Sequence, residues 1–335
     1  MRFITCASYY GSGSSAITDF VSEFDDVYSF TSEEFRFVQD PDGISDLEYN
    51  LVENFNRHNS GHALKRYKKL VDFYCGNIFS KKYEAFFNGN WKRYSYEYIE
   101  RLTDFKYHGW WLYDLLDRGS FFHFRKKVLN KLLHLTIWKN QPERLYNTMK
   151  NEITYCSHPD EEKFLKLTRE YIDGLFSSVC NGAQTIMVDQ IVPPSNLKRY
   201  LRYFNDIKVA VVDRDPRDIF LLDKYVWRDG MLPSDVEIFC KWFKYTREHR
   251  KTENLNTKDI QFFNFEDLIY QYNKTTSKLM DWLGLDIEKH NRKKQYFVPS
   301  KSINNTQIWK RISCNIEDVK FIEKELKEFL YDFPL

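Results

Sequence analysis

Apolar residues come in two rhythms along this chain. Phe3 to Ala7 is a short apolar run of strand length, with Thr5 inside it, followed by a glycine–serine break at 11–15. Beyond it the apolar positions of SAITDFVSEF return at three- and four-residue spacing. The order this predicts is strand, turn, helix. Phe35 and Phe37 then alternate about Arg36, which predicts a second short strand closing in the turn Pro41-Asp42-Gly43. From Ile44 to about Ser178 the spacing is helical, as in HALKRYKKLVDFY, YSYEYIERL, KKVLNKLLHLTIW and EEKFLKLTREYIDGLF. Gly76, Gly89, Gly109, Gly119 and Pro142 punctuate that run. Strand character resumes in TIMVDQIV, VAVVD and DIQFFNF, each followed by a helical stretch.

Strands alternating with helices predict an α/β fold with a parallel, doubly wound sheet. The chain then reads as a single domain, residues 1–335, with a large helical insertion at about 44–180. Ligands of such sheets sit at the carboxyl ends of the strands. Three segments should meet there: the turn at 11–15, the segment at 34–42, and the residues after Asp213. Glycine lets backbone approach a ligand closely, and the start of a helix presents amides without partners, so the first turn suits an anion. It lacks the Lys-Ser/Thr that completes the usual nucleoside-triphosphate loop. In VAVVDRDPRDIF, Asp215 is placed to cap a helix and Pro216 to occupy its first turn. Arg214 then stands at the strand end, where its fork can grip a phosphate or pair with Asp213 or Asp218.

Composition narrows the class. The 50 basic and 48 acidic residues leave a net charge of +2, which excludes a general nucleic-acid binder. Six scattered cysteines without C-x-x-C spacing fit reduced thiols in a cytoplasmic protein, not a zinc site or a disulfide frame. Strand and turn at the start leave no signal peptide, and no apolar run reaches the length of a membrane span. Aromatic residues make up 18% of the chain, enough to build a core and to offer ring faces to sugars, bases or sterols.

Four stretches, in order, carry a resemblance: YYGSGSSAI, VVDRDPRD, FEDLIYQYNKTTSKLMDWLGL and KSINNTQIWK. The chain resembles the sulfotransferases that use 3′-phosphoadenosine 5′-phosphosulfate (PAPS), over residues 2–40 and 185–310. The resemblance implies a P-loop-like donor site, PAPS as co-substrate and no metal. Gly11, Ser12, Gly13, Ser14, Ser15 and Ala16 would hold the phosphosulfate, Arg214 the 3′-phosphate, and Phe265 the adenine. Two departures stand out. Gly11 occupies the place of the family's loop Lys or Arg, and Leu222 that of a phosphate-binding Ser, whose part must come from elsewhere, with Lys301 and Ser302 as candidates. The catalytic His of the small-molecule members is missing from VDQIVPP. EEFRF resembles the glutamate pattern of the polysaccharide-directed members, making Glu34 the base with Arg36 beside it. Asp40, Asp42, Asp189 and the pair His58/His62 stay open as bases. The expected activity is sulfonate transfer to a hydroxyl of a saccharide or glycan. Trp91, Trp110, Trp111, Tyr113 and Trp138 of the insertion would meet that acceptor or fill a core. The rivals are a nucleotide or sugar kinase, disfavoured by the missing loop Lys, and an inactive nucleotide-binding module of the same fold.

Overall fold

The computed structural model describes residues 1–76, 82–139, 147–251 and 258–334, so Pro142 lies outside the described residues. Two compact units form: one of Met1–Asp40 with Ile172–Leu335, the other of Pro41–Tyr171. Seven strands follow in chain order among the described residues: β1 (Arg2–Ser8), β2 (Val27–Glu34), β3 (Phe105–His108), β4 (Ile153–Cys156), β5 (Thr185–Asp189), β6 (Ile207–Asp213) and β7 (Ile260–Asn264).

The first unit is built on a five-stranded sheet in the order β2-β5-β1-β6-β7. Every pairing in it is parallel, with Cys6 of β1 opposite Asp189 on one side and Ala210 on the other. Phe3, Ile4, Cys6 and Ala7 are all fully buried, as are Val209 to Val212. Such apolar runs are what strands covered on both faces require. The doubly wound α/β reading therefore holds. The order reverses between β1 and β6, and the crevice at that reversal is where this architecture binds ligands. Asp215 caps the helix Pro216–Leu221, its carboxylate accepting from the Arg217 amide, with Pro216 in the first turn. No helix among the described residues is long and apolar enough to cross a membrane.

The second strand differs from its expected place. β2 spans Val27–Glu34, and Phe35 to Phe37 lie beyond its end. Phe35, Phe37 and Val38 are all buried, which a strand with one wet face cannot arrange. The alternation about Arg36 is instead an irregular segment pinned by both rings, while the Phe35 amide donates to the Asp189 carbonyl at 3.2 Å. Register between β2 and β5 breaks between Ser29 and Glu34, where Thr31 takes a φ of +59°.

The second unit is helical, with the long helices Arg57–Cys75, Trp91–Leu102 and Gly119–Leu135. It also contains an antiparallel pair, β3 with β4, in a stretch whose sequence reads as helix throughout. The fit there is close: a Cβ on Gly61 would stand 2.3 Å from the Tyr155 carbonyl oxygen. Much of the aromatic content is core. Tyr98 stacks on Tyr171 at 4.6 Å, and the Tyr171 hydroxyl meets Ser95 Oγ at 2.7 Å. Trp91 is fully buried and donates from Nε1 to the Val71 carbonyl at 2.9 Å, which removes it from any acceptor surface.

Candidate functional site

The turn after β1 reverses on two glycines in the left-handed region, Gly11 at φ +78° and Gly13 at +80°. Only glycine takes such dihedrals at no cost. Gly13 is also sterically required, because a Cβ there would lie 2.5 Å from Cδ2 of Phe265. The Ser12 amide donates to the Tyr9 carbonyl at 3.1 Å, closing the turn. Among the described residues, the amides of Gly13, Ser14 and Ser15 have no protein acceptor. Gln190 braces the turn from the end of β5, its Nε2 donating to Ser8 Oγ at 2.6 Å and to Ser14 Oγ at 3.1 Å.

Arg214 takes neither surface partner that its sequence neighbours offered. Asp213 is held by Arg250 at 2.5 Å, and the Asp218 carboxylate accepts the amides of Gln307 at 3.0 Å and Ile308 at 2.8 Å. The Arg214 guanidinium lies 4.6 Å above the Phe265 ring. It donates from Nη1 to the Gly11 carbonyl at 3.0 Å and from Nη2 to the Asn305 carbonyl. Among the described residues its buried Nε has no partner, and burial lowers its pKa. Arg214 thus ties the glycine turn to the 303–305 segment and keeps one donor unspent.

A cavity of about 410 Å³ opens over this turn. Gly11 to Ala16, Glu34, Arg214, Phe265 and Ser302 all line it. Arg36 and Lys301 do not: Arg36 pairs with Asp40 at 2.9 Å and with Glu34 at 3.7 Å, and Lys301 is exposed on a short helix. Leu222 packs into an apolar cluster with Ile219 and Phe239, so a serine at that position would face core. At Gly11 an added Cβ would approach Ile219 at 3.3 Å and Trp227 at 3.5 Å, so a longer side chain is doubly disfavoured. Of the alternative bases, Asp189 lines the cavity and Asp40 does not. Asp42, His58 and His62 belong to the second unit, where Asp42 pairs with Arg66 at 2.6 Å and His62 faces Asp117 at 3.3 Å.

The cavity is unexpectedly acidic, with Asp19, Glu34, Asp189 and Asp229 against Arg214. Burial changes that count. Asp189 is 3% exposed, its Oδ1 has no hydrogen-bond partner among the described residues, and burial together with the nearby Glu34 charge pushes it up to about 8. Asp19 is raised to about 6 by burial and by Glu23. Burial thus favours the protonated form of Asp189. Among the described residues, no three His, Cys, Asp or Glu side chains are grouped to hold a metal ion.

A second cation stands behind the turn that the sequence reading passed over. The helix Val236–Lys251 brings in Arg247, 1% exposed, with its guanidinium 4.5 Å from the Tyr9 ring and 3.8 Å from Phe243. Its Nη2 reaches Ser12 Oγ at 3.4 Å, and burial lowers its pKa to about 10. Arg247 lines a neighbouring cavity of about 520 Å³ that it shares with Arg214, Asp213 and Glu266. The apolar spacing of VEIFCKWFKYTREH was the one available signal for this helix.

No family model matches the chain, and no curated protein matches it. Solved structures of sulfotransferases do. The sulfotransferase domain of the Synechococcus PCC 7002 olefin synthase is 11% identical, with 99% of this chain and 95% of that one covered at a TM-score of 0.43. The sulfotransferase domain of the curacin biosynthetic pathway is also 11% identical, covering 99% and 98% at a TM-score of 0.41. Retinol dehydratase, solved with androsterone and the inactive cofactor PAP, is 14% identical, covering 100% and 83% at 0.36.

Proposed function

We propose that the first unit transfers a sulfonate group from PAPS to a hydroxyl of an acceptor, a saccharide or glycan. The observation that supports this most is the turn at 11–15. Three amides without protein partners and two left-handed glycines lie at the crevice between β1 and β6, with Arg214 fastened to the Gly11 carbonyl. That cradle suits a phosphosulfate, whose oxygens need donors more than net charge.

PAPS supplies an activated sulfonate with a good leaving group. The chain's residues then have three tasks. The amides of Gly13, Ser14 and Ser15 and the hydroxyls of Ser14 and Ser15 fix the phosphosulfate and meet the charge that grows on the departing phosphate. Arg214 and Ser302, which both line the cavity, would hold the 3′-phosphate. Glu34 takes the acceptor's proton as the acceptor oxygen bonds to sulfur and the bond from sulfur to the bridging oxygen breaks. That oxygen leaves on adenosine 3′,5′-bisphosphate. Protonated Asp189, paired in register with Glu34 across β2 and β5, lowers the repulsion the sulfonate meets.

A second reading has one observation in its favour: the acidic lining suits a nucleoside triphosphate with Mg²⁺, as in a kinase. Calorimetric titration with adenosine 3′,5′-bisphosphate against ATP with Mg²⁺ separates the two. Binding of the bisphosphate together with sulfonate transfer from labelled PAPS to a saccharide supports the proposal. Binding of ATP with Mg²⁺ alone overturns it.

A further inference from the structure

The helix Gly119–Leu135 of the second unit is turned inside out. The stripe it packs inward is partly polar: Asn130 is buried, Phe122 lies beside Leu115 and Met149, and Lys126 donates from Nζ to the Thr148 carbonyl at 3.3 Å. The opposite stripe is apolar and open. Phe121 is 71% exposed and Leu135 64%, with Phe124, Val128 and Leu132 exposed between them. Spacings of three, four, four and three place these five on one helix face. Ile137, just past the helix, continues the exposed apolar surface. Soluble proteins rarely leave a contiguous apolar stripe of this kind uncovered.

Charge identifies what covers it. Residues 119–139 hold five basic side chains, Arg125, Lys126, Lys127, Lys131 and Lys139, and no acidic one, in a chain whose net charge is +2. Lys127 and Lys131, both exposed, lie one turn apart along one flank of the stripe. We propose that this face docks on an anionic lipid bilayer, with the helix lying in the plane of the interface and its Phe and Leu side chains in the acyl boundary. A second copy is the poorer occupant, since a twofold contact would set this uniformly basic face against itself. The exposed basic side chains beside the stripe, Arg125, Lys127 and Lys131, with no acidic residue among 119–139, match a surface that is uniformly anionic, as a bilayer of acidic lipids is. The proposal is independent of sulfonate transfer.

Co-sedimentation of the full chain with vesicles tests it, using phosphatidylcholine alone or mixed with phosphatidylglycerol. Binding to the anionic vesicles is expected, weakening as salt rises. Lys127→Glu with Lys131→Glu should weaken binding by about fivefold or more per residue. Phe121→Ser with Leu132→Ser should abolish binding and leave the circular dichroism spectrum unchanged, because both side chains point away from the packed stripe. Failure to sediment with anionic vesicles overturns the proposal, as does binding indifferent to both pairs of substitutions. A dimer in light scattering that Phe121→Ser with Leu132→Ser dissolves, without vesicle binding, assigns the face to a second copy.

Discussion

Gly13→Ala isolates what the glycine turn does. Two costs act at this position. A residue with a Cβ at φ +80° sits in the left-handed region, at roughly 1–2 kcal/mol. The added methyl would also meet Cδ2, Cγ and Cε2 of Phe265 at 2.5, 2.9 and 3.0 Å, too close for any real contact. Ring and loop must then shift, which overpacking series place at about 1–3 kcal/mol. The sum is about 2–5 kcal/mol of stability, read from the urea midpoint of the first unit's transition. Phe265→Ala separates the terms: in the double variant the clash is gone and only the backbone cost remains. The coupling between the two substitutions should therefore be about 1–3 kcal/mol in the stabilising direction. Moving the turn also displaces the amides of Gly13, Ser14 and Ser15, so affinity for adenosine 3′,5′-bisphosphate should fall at least about tenfold in Gly13→Ala, the scale of one charged hydrogen bond. A Gly13→Ala protein with an unchanged midpoint and unchanged bisphosphate affinity would refute the reasoning.

Three further outcomes are expected. Arg247→Met keeps the packing between Tyr9 and Phe243 but removes the charge behind Ser12, so bisphosphate affinity should drop roughly tenfold while the protein stays folded; titration calorimetry reads this. Glu34→Gln should lower turnover by about a hundred- to ten-thousand-fold and leave the bisphosphate dissociation constant within a small factor, the pattern of a lost proton acceptor. Asp189→Asn concerns stability: a carboxyl raised to about 8 binds its proton more tightly folded than unfolded, so stability falls as pH rises from the usual carboxylate range to about 8. The substitution should flatten that fall in unfolding midpoints by at most about 1.4 kcal/mol per pH unit, and an unchanged pH dependence would place Asp189 outside this role.

The parallel sheet was legible because burial on both faces imposes a pattern that needs no tertiary information: a short, nearly continuous apolar run, such as the four residues of VAVV, has few other uses. The Asp215–Pro216 cap was equally readable, since capping is decided within three residues. β2 was not. Its strand residues, YSFTSEE, are mostly polar, and a register break lies within them, while the two rings that caught the eye at 35 and 37 anchor a segment beyond the strand. β3 and β4 failed for a related reason, because four-residue strands carry too short a pattern to compete with helical spacing on either side. Of the residues expected at the site, the turn and Arg214 were readable from local sequence beside strand ends, while Phe265 and Ser302 came from the resemblance; all of them line the cavity. Gln190, Asp19 and Arg247 were missed. Asp19 and Gln190 lie in ordinary-looking surroundings, and Arg247 acts from a helix more than 230 residues away from Ser12, a separation no local pattern encodes.

The missing loop cation and the acidic lining are two sides of one arrangement. A lysine at position 11 would have to adopt a left-handed backbone and crowd Ile219 at 3.3 Å, so the turn as built disfavours a charge of its own. Behind the turn, Arg247 reaches Ser12 Oγ at 3.4 Å, where aromatic rings on two sides shield its charge from water and lengthen the reach of its field. Arg250 holds Asp213 at 2.5 Å, which leaves Arg247 at 3.5 Å from the same carboxylate and turned toward the loop. In front, burial favours a proton on Asp189. An anion entering the cavity thus meets amides and hydroxyls first, a neutral carboxyl beside them, and positive charge in the wall. A site of this kind selects by the geometry of its donors, because its net charge alone would admit few anions at all.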